Sequence, residues 1–543
     1  MGNGHFRINK PQNEPICTYE LGSRPRDELK MKIDELKNQE IEVPLIIGGK
    51  EVRTGNLGTC IVPHNHEHVL ARYHIAGEEE LNLAIETALK AKKTWKSMPW
   101  EHRAAIFKKA AELLAGPWRA TINAATMLCQ SKSPYQAEID AACELIDFLR
   151  FNAKFMEEIY KEQPISTSGA WNRVEYRPLE GFVLAITPFN FAAISGNLVT
   201  APAMLGNVVI WKPASTALYS NYFLMKLLQA AGLPDGVINF IPSSGSDIGK
   251  YMLKNVWLAG IHFTGSTEVF NSLWKEVAQN VEKYKNYPRV VGETGGKGFI
   301  FAHDSADINV LITALIRGAF EYQGQKCSAA SRAYIPKNLW IAMKDEFLEI
   351  LKTIKMGDIE DFRNFMGAVI DKKAFERIKG YLEHAKDSDE AHIFYGGNGD
   401  DTIGYFIEPT VIITSNPRFK TMEEEIFGPV LTIYIYDDNA FDETLELCAV
   451  TSPYGLTGAI FASDRQTIIK MEQRLSYAAG NFYINDKPTG AVVGQQPFGG
   501  SRSSGTNDKA GSKTNLLRWI TPRTIKETFD PSRNYGYPHM LGK

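Results

Sequence analysis

The stretch EYQGQKCSAASR, residues 321–332, places one cysteine, Cys327, among small and polar residues. A free cysteine usually behaves as a small buried hydrophobe. A thiol in a polar loop is therefore either an accident of loop composition or a nucleophile that a substrate has to reach. Cys327 alone does not decide between these interpretations.

Two further polar residues lie where predicted buried strands end. Asn190 is in TPFNF, residues 187–191, and Glu293 is in VVGETGGKGFI, residues 290–300. By itself, Asn190 is an ordinary strand-ending turn residue. A glutamate in a glycine-rich turn usually faces solvent. Each residue is a weak signal when it is taken alone.

Two other segments could contact a phosphate. FTGSTEVF, residues 263–270, joins a buried strand to a helix through Gly265 and Ser266. The free N–H groups and the dipole at a helix N-terminus favour phosphate. The segment lacks the G-x-G-x-x-G pattern, so it is a weak dinucleotide signal. Lys212, in IWKPAS, directly follows a strand and could reach a ribose or phosphate, although a lone lysine there is usually solvated.

The elements that carry these residues alternate between strands and helices. From residue 181 the predicted strands are FVLAIT, NVVIW, VINFIP, GIHFTG and RVVGETGG, and helical stretches such as STALYSNYFLMKLLQAAGLP lie between them. A second set follows, with FIFAH, RAYIP, TVIIT, VLTIYIYD, LTGAIFA and NFYIN. Such βαβ alternation predicts an α/β fold with two doubly wound domains and a cleft between them.

The two ends of the chain have different patterns. Residues 1 to about 60 suggest an N-terminal arm and an entry hairpin, LIIGGKEVRTG, and helical periodicity dominates from Glu78 to Tyr160. RDELKMKIDELKN, from Arg26, puts three apolar side chains on one helical stripe; these are Leu29, Ile33 and Leu36. The last thirty or so residues, which contain Pro522, Pro531 and Pro538, suggest a tail.

Composition excludes several classes of partner. The chain has 543 residues, enough for two or more core-forming units, and 44% of them are hydrophobic. The net charge of −3 provides no basic field for nucleic acid or an anionic membrane. Six cysteines without paired or metal-ligand spacing predict free thiols, a reducing compartment and no metal site.

One charge-free stretch, residues 181–211, is long enough to suggest a membrane span. Pro188, Gly196 and Pro202 interrupt it, and it is interpreted as a buried strand, a loop, a helix and a second buried strand. The N-terminus shows no secretory signal, and its acidic residues are unlike those of a transit peptide. A bacterial cytoplasm is favoured, and the mitochondrial matrix would fit a eukaryotic chain.

Taken together and in order, the motifs resemble one family. WKPAS, FTGSTE, ETGGK, GQKC, EEIFGP and QQPFGG resemble the aldehyde dehydrogenase superfamily over roughly residues 40–510. The resemblance implies that Cys327 attacks an aldehyde carbonyl. It also implies that the Asn190 amide and the Cys327 backbone N–H bind the oxyanion, and that Glu293 activates the water that hydrolyses the thioester.

The same resemblance implies that NAD is the cofactor. The implied cofactor-binding residues are Thr187, Lys212, Ser215, Gly265, Ser266, Thr267, Glu268, Val269, Glu425 and Phe427. Ser215 stands where many NAD-selective members have a glutamate, so no carboxylate there would repel a 2′-phosphate. Phe270 replaces a glycine that often ends the pyrophosphate loop, and Thr294 replaces a common leucine.

The segment TGAVVGQQPFGGSRSSGTNDKAG, residues 489–511, narrows the substrate. With the helix CELIDFLRFNAKF and the tail from TPRTIKETF, it resembles the monofunctional Δ1-pyrroline-5-carboxylate dehydrogenases. Their substrate, glutamate-γ-semialdehyde, carries a remote carboxylate that backbone N–H groups of small residues could bind. The implied substrate-binding residues are Ser328, Gly490, Ala491, Phe191, Phe498, Lys326 and Glu144. For Lys326 and Glu144, a solvated position is an equal alternative.

The resemblance thus implies NAD-dependent oxidation of the semialdehyde to glutamate, the second step of proline catabolism, by a homodimer. The predicted division is an arm at 1–40, an NAD-binding domain at 41–170 and 183–292, a catalytic domain at 293–505, and oligomerisation elements at 171–182 and 506–543. The alternatives are another semialdehyde or aldehyde dehydrogenase, a CoA-acylating relative, and a catalytically inactive structural relative. A cysteine hydrolase fits poorly, because His262 and His303 lie in apolar strands.

Overall fold

The computed structural model describes residues 4–542 and contains two seven-stranded sheets. Five neighbouring strands of the first sheet are parallel, and the last two pair antiparallel. In spatial order its strands are Arg289–Glu293, Leu258–Thr264, Phe182–Ile186, Val209–Lys212, Ile238–Phe240, Leu45–Ile47 and Lys50–Val52. The two antiparallel strands at the end are the hairpin predicted from LIIGGKEVRTG.

The second sheet is parallel except for its first strand, which pairs antiparallel at one edge. In spatial order its strands are Ala391–Tyr395, Thr410–Thr414, Val430–Tyr436, Ala330–Pro336, Gly298–Ala302, Thr457–Phe461 and Asn481–Ile484. Phe299 and Phe301 pack into one apolar cluster, whereas Ile300 and Ala302 pack into another on the opposite face. Both faces are therefore buried, as the charge-free strand sequences predicted. The doubly wound α/β fold is confirmed.

The remaining strands of residues 4–542 form four smaller sheets. One has three strands, Ile41–Val43, Asn65–His74 and Leu57–Val62. Three are two-stranded ribbons, which pair Gly399–Asp400 with Phe406–Ile407, Tyr454–Gly455 with Ser501–Arg502, and Ala170–Pro178 with Ile520–Thr528. The last ribbon corrects the interpretation of the C-terminal residues as a tail without regular structure, because Pro522 lies within a strand opposite Tyr176.

Helices cover both large sheets. The α-helices are Arg24–Lys37, Glu78–Trp95, Trp100–Ala115, Arg119–Gln130, Pro134–Ala137, Glu144–Lys161, Ala192–Met204, Leu218–Ala230, Gly245–Asp247, Thr267–Gln279, Ile308–Phe320, Lys337–Lys352, Lys372–Lys386, Lys420–Glu423, Phe441–Val450, Arg465–Arg474 and Lys513–Leu517. Shorter 3₁₀ turns are Ser215–Ala217, Val281–Lys283, Glu321–Gly324, Asp438–Ala440 and Pro538–Met540, and π turns are Glu138–Cys143 and Ile248–Met252.

The charge-free stretch at 181–211 folds as predicted, into a strand, the helix Ala192–Met204 and a second strand. Among the helices of residues 4–542, none is long and apolar enough to cross a membrane. The N-terminal helix Arg24–Lys37 buries the predicted stripe of Leu29, Ile33 and Leu36. The first three residues of the predicted arm and the last residue of the predicted C-terminal element lie outside the described residues.

Sheet register aligns the strand ends that carry predicted site residues. Phe263 lies opposite Ile186, Ile186 lies opposite Lys212, and Thr264 lies opposite Glu293. The carboxyl ends of four neighbouring parallel strands therefore form one edge. In open α/β sheets this edge is where ligands bind.

Candidate active site

A cavity of about 380 Å³ contains most of the predicted catalytic and substrate-binding residues. Cys327 and Glu293 both line it. So do all the predicted substrate residues, namely Ser328, Gly490, Ala491, Phe191, Phe498, Lys326 and Glu144. Asn190 is buried beside the cavity and is absent from its lining. The fold thus brings residues from distant parts of the sequence to one place.

A strained turn places Cys327. Tyr322 and Gln323 both have left-handed backbone conformations, with φ of 52° and 56°, and Gly324 follows with φ of 65°. For residues other than glycine this conformation costs about 1–3 kcal/mol each and needs support from its surroundings. The buried Gln323 amide supplies this support by donating to the carbonyl oxygens of Ser131 (3.0 Å) and Ala368 (2.7 Å).

The glycines of ETGGK allow the backbone to approach the nucleophile closely. A Cβ at Gly296 would overlap the Cys327 carbonyl oxygen, and one at Gly295 would overlap the Glu425 carboxylate. Glu425 Oε1 accepts the Gly296 N–H at 2.8 Å. Burial raises the pKa of the Cys327 thiol, and the Glu425 and Glu293 carboxylates raise it further. The resting thiol is therefore mostly protonated at neutral pH.

The raised pKa of Cys327 predicts how its reactivity changes with pH. Because only the thiolate reacts, and its fraction grows about tenfold per pH unit below the pKa, alkylation of Cys327 by iodoacetamide should accelerate without a plateau from about pH 6.5 to about pH 9. Mass-spectrometric quantification of the modified Cys327 peptide measures the rate. Partly exposed Cys17 serves as the internal reference. A plateau for Cys327 below about pH 8 would show that the folded protein stabilises the thiolate instead.

Glu293 ends the strand Arg289–Glu293, and its carboxylate oxygen Oε2 accepts the Gly500 N–H at 3.2 Å. Burial raises the pKa of this carboxyl well above its usual range, and Asp508 adds to the increase, while Gly500 and Lys509 lower the pKa partly. A carboxylate with a raised pKa is a stronger proton acceptor than a solvated one. Glu293 therefore has the properties of a general base.

Asn190 is hydrogen-bonded to the loop that carries Cys327. Its Nδ2 donates to the Gln325 carbonyl oxygen at 3.0 Å, two residues before Cys327. A side-chain amide carries two N–H donors. The predicted oxyanion role therefore falls to the second N–H, and the Gln325 bond fixes the orientation of the amide.

Most predicted cofactor residues lie at the aligned edge of the first sheet. The Thr187 N–H donates to the Lys212 carbonyl oxygen at 3.2 Å, and burial lowers the pKa of the Lys212 ammonium. Ser266 caps the helix Thr267–Gln279 by accepting the Val269 N–H at 3.3 Å. Ser215, Glu268 and Val269 are exposed, and Gly265 is partly exposed. Glu425 and Phe427 lie outside this edge, on the loop before the strand Val430–Tyr436, where Glu425 faces Cys327.

Two of the three departures from the family pattern, Phe270 and Thr294, have structural reasons. Phe270 stacks on Phe263, with ring centroids 5.4 Å apart, and occupies the space where a side chain at Gly292 would lie. Thr294 donates through its hydroxyl to the Ser503 carbonyl oxygen at 2.5 Å. Its backbone N–H donates to the Ser504 carbonyl oxygen at 2.8 Å. Both replacements therefore serve local packing around the strand that carries Glu293.

For two predicted substrate residues a solvent-exposed position was an equal alternative, and the structure shows that this alternative is wrong. Lys326 is buried, and its Nζ lies 3.6 Å from Asp140 and 3.7 Å from Glu321. Glu144 faces the cavity, and burial together with Asp140 raises the pKa of its carboxyl well above its usual range. Both side chains line the cavity, and Lys326 lies beside the carboxyl groups of Asp140 and Glu321.

Several residues of the site escaped the sequence analysis. Lys132 is fully buried, donates to Asp140 at 2.8 Å, and lies 4.2 Å from the centroid of the Phe191 ring. Thr489 shares a 2.8 Å hydrogen bond with Ser328. Asn13, Glu14 and Ile16 of the N-terminal arm also line the cavity. No local pattern marks these residues, because their partners are far away in the sequence.

Comparisons with known proteins agree with this geometry. The model of the aldehyde dehydrogenase family matches residues 53–525, and the chain belongs to that family. The chain is 54% identical to the mitochondrial Δ1-pyrroline-5-carboxylate dehydrogenase of Dictyostelium discoideum over 99% of this chain and 97% of that protein. It is 49% identical to the corresponding Homo sapiens enzyme over 99% and 95% of the two chains. The crystal structure of the Mycobacterium tuberculosis Δ-pyrroline-5-carboxylate dehydrogenase bound with NAD superposes with a TM-score of 0.97, at 50% identity and with all of both chains covered.

Proposed function

We propose that this chain is an NAD-dependent dehydrogenase that oxidises L-glutamate-γ-semialdehyde, formed from Δ1-pyrroline-5-carboxylate, to L-glutamate. The reaction is the second step of proline catabolism. The observation that carries the proposal is that Cys327, Glu293 and the loop of Gly490 and Ala491 line one cavity. The relatives named above, about 50% identical over nearly the whole chain, support the same substrate.

The residues at the first sheet's edge fit a dinucleotide. The helix Thr267–Gln279 begins at an exposed Ser266, so its first turn offers N–H groups and a positive dipole end to a pyrophosphate. Lys212 ends one strand at this edge, and Thr187 directly follows the neighbouring strand. The Ser215 side chain carries no carboxylate that would repel a 2′-phosphate. When bound, NAD supplies the hydride acceptor.

The protein's own groups perform the remaining steps. The Cys327 thiol first passes its proton to water, and the thiolate then attacks the aldehyde carbon. The oxyanion that forms accepts hydrogen bonds from the Asn190 side-chain amide and from the Cys327 backbone N–H. Loss of hydride from this adduct leaves a thioester on Cys327. Glu293 then takes a proton from water, the resulting hydroxide attacks the thioester carbonyl, and the C–S bond breaks to release glutamate and the thiolate.

The other end of the cavity suits the amino-acid end of the substrate. Gly490 has φ of 93°, and with Ala491 it presents backbone N–H groups for a carboxylate. The Ser328 hydroxyl, held by Thr489, lies on the same wall. Phe191 and Phe498 border the aliphatic chain, and Glu144 provides a carboxyl group for the ammonium.

Ala491→Leu tests the substrate assignment. We call the backbone N–H groups of Gly490 and Ala491 the carboxylate cradle. The larger side chain would enter this cradle while Cys327 and Glu293 stay intact. We expect kcat/KM for glutamate-γ-semialdehyde to fall about 10²-fold, mostly through KM, because a site built for a polar partner loses it. Propanal never uses the cradle and should lose less than about threefold. Equal losses for both aldehydes in steady-state assays would favour a general aldehyde dehydrogenase.

We also propose the domain division and the homodimer predicted above. The two large sheets, each built from a continuous part of the described chain, support the division near residue 293. The ribbon Ala170–Pro178 with Ile520–Thr528 exposes Trp171 and Phe529, which supports its use in dimerisation. For localisation we keep both predicted compartments, the bacterial cytoplasm and, for a eukaryotic chain, the mitochondrial matrix, because relatives named as mitochondrial and a Mycobacterium tuberculosis enzyme are about equally similar to this chain.

A further inference from the structure

The N-terminal arm lies antiparallel along the helix Glu144–Lys161 and the turn before it. Ile8 donates its N–H to Glu157, Glu14 donates its N–H to Asp147, and Cys17 donates its N–H to Glu138, each at 2.8 Å. Glu14 also pairs with Arg119 and Arg150, both at 2.6 Å. The arm is therefore fixed to the wall of the cavity by contacts along its length.

Asn13 connects this arm to the loop that carries the proposed carboxylate cradle. Its Nδ2 donates to Asp147 Oδ2 at 2.7 Å and to the Val493 carbonyl oxygen at 2.8 Å. Its Oδ1 accepts from Gln495 Nε2 at 2.9 Å. One side chain thus joins a rigid helix to two positions of the loop that follows Gly490 and Ala491.

The loop also has contacts of its own at this end, because Val493 is buried in the main apolar core and the Gln495 and Gln496 N–H groups donate to the Val492 carbonyl oxygen. Val492 donates its N–H to Gln496 Oε1 within the same loop, and Gly494 is left-handed, with φ of 82°. A Cβ at Gly494 would overlap Phe151 of the helix, so the loop sits closely against the helix at that point. The position of Gly490 and Ala491 in the cavity therefore depends on the contacts that fix Val493 and Gln495.

We propose that Asn13 is a positioning residue for substrate recognition, and that the N-terminal arm forms part of the substrate site by holding the loop 490–496 against the helix. The inference rests on the proposed function, because it assigns the cradle to the substrate's carboxylate. Asn13 does not contact the reacting atoms. It acts through Val493 and Gln495 on the backbone N–H groups that bind the remote end of the substrate.

The test compares Asn13→Ala with Gln12→Ala in the full-length protein. Gln12 is the adjacent exposed amide, and the structure records no hydrogen bond for its side chain among residues 4–542. Loss of hydrogen bonds worth about 1.4 kcal/mol corresponds to a tenfold change in the KM of the substrate. We expect Asn13→Ala to raise KM for glutamate-γ-semialdehyde about tenfold, with kcat, NAD⁺ affinity and kcat/KM for propanal within about twofold of wild type. Gln12→Ala should match wild type for both aldehydes.

Two results would overturn the inference. One is an unchanged KM for the semialdehyde, and the other is an equal loss for semialdehyde and propanal, which would assign Asn13 to general stability. If Asn13→Ala fails to fold, Gln495→Ala removes one bond from the loop side and is assayed in the same way. If the wild-type protein does not prefer the semialdehyde to propanal, the proposed function itself is wrong. If it does prefer the semialdehyde but Asn13→Ala leaves KM unchanged, only the role of the arm is wrong.

Discussion

Cys327→Ala should abolish aldehyde oxidation, with kcat reduced by about 10⁴-fold or more, and should leave NAD⁺ affinity near that of wild type. The expected loss is large because the thiol makes the covalent bond that converts the aldehyde into a hydride donor, and no neighbouring group can replace it. NADH absorbance in steady state measures turnover, and calorimetric titration measures cofactor affinity.

The matched control for this variant is Cys17→Ala. Cys17 is also partly exposed, but it is absent from the cavity lining, and its backbone N–H donates to Glu138 at 2.8 Å, a bond that alanine keeps. It should retain wild-type turnover. Activity above a trace in Cys327→Ala would show that the nucleophile is another group, and equal inactivation of both variants would point to damage to the fold.

Glu293→Gln should separate the two halves of the reaction. The carboxamide can still accept the Gly500 N–H, but it cannot take a proton from water. We therefore expect thioester hydrolysis to slow about 10²–10⁴-fold, which is the usual contribution of a general base, while hydride transfer stays fast. Rapid mixing with excess NAD⁺ and semialdehyde should show a burst of about one NADH per active site, followed by a slow phase.

Glu425→Gln provides the contrast. Glu425 also raises the pKa of Cys327, but the sequence assigns it to the cofactor, so this variant should slow hydride transfer and show no burst. A single slow phase for Glu293→Gln as well would place Glu293 before hydride transfer. A burst of NADH in both variants would mean that Glu425 acts after hydride transfer.

The sequence predicted the framework well because short-range patterns determine it. Strand and helix alternation after residue 181 identified both large sheets, since their strands are buried on both faces and carry almost no charge. The same motifs predicted that Cys327 and Glu293 share a site. Glu293 ends a strand of the first sheet, Cys327 precedes a strand of the second sheet, and both line one cavity.

Long-range contacts explain what the sequence did not reveal. Lys132 resembles a solvated lysine in a turn, and only the fold shows that it is buried between Asp140 and Phe191. Asn13 and Val493 are separated by 480 positions. The strand Ile520–Thr528 was missed because Pro522 within it, with Pro531 and Pro538 beyond it, suggested a tail, although an edge strand tolerates proline where no ladder donor is needed.

The left-handed turn before Cys327 also has a consequence for the order of folding. Gln323 holds that turn through the Ser131 carbonyl, 192 positions earlier, and the Ala368 carbonyl, 45 positions later. Neither partner is local, and contacts of high sequence separation form late because chain entropy must first be lost. On a ribosome the loop of Cys327 therefore emerges before one of its two anchors has been synthesised. We therefore expect the Cys327 loop to reach its folded geometry only when the segments that carry both anchors have docked.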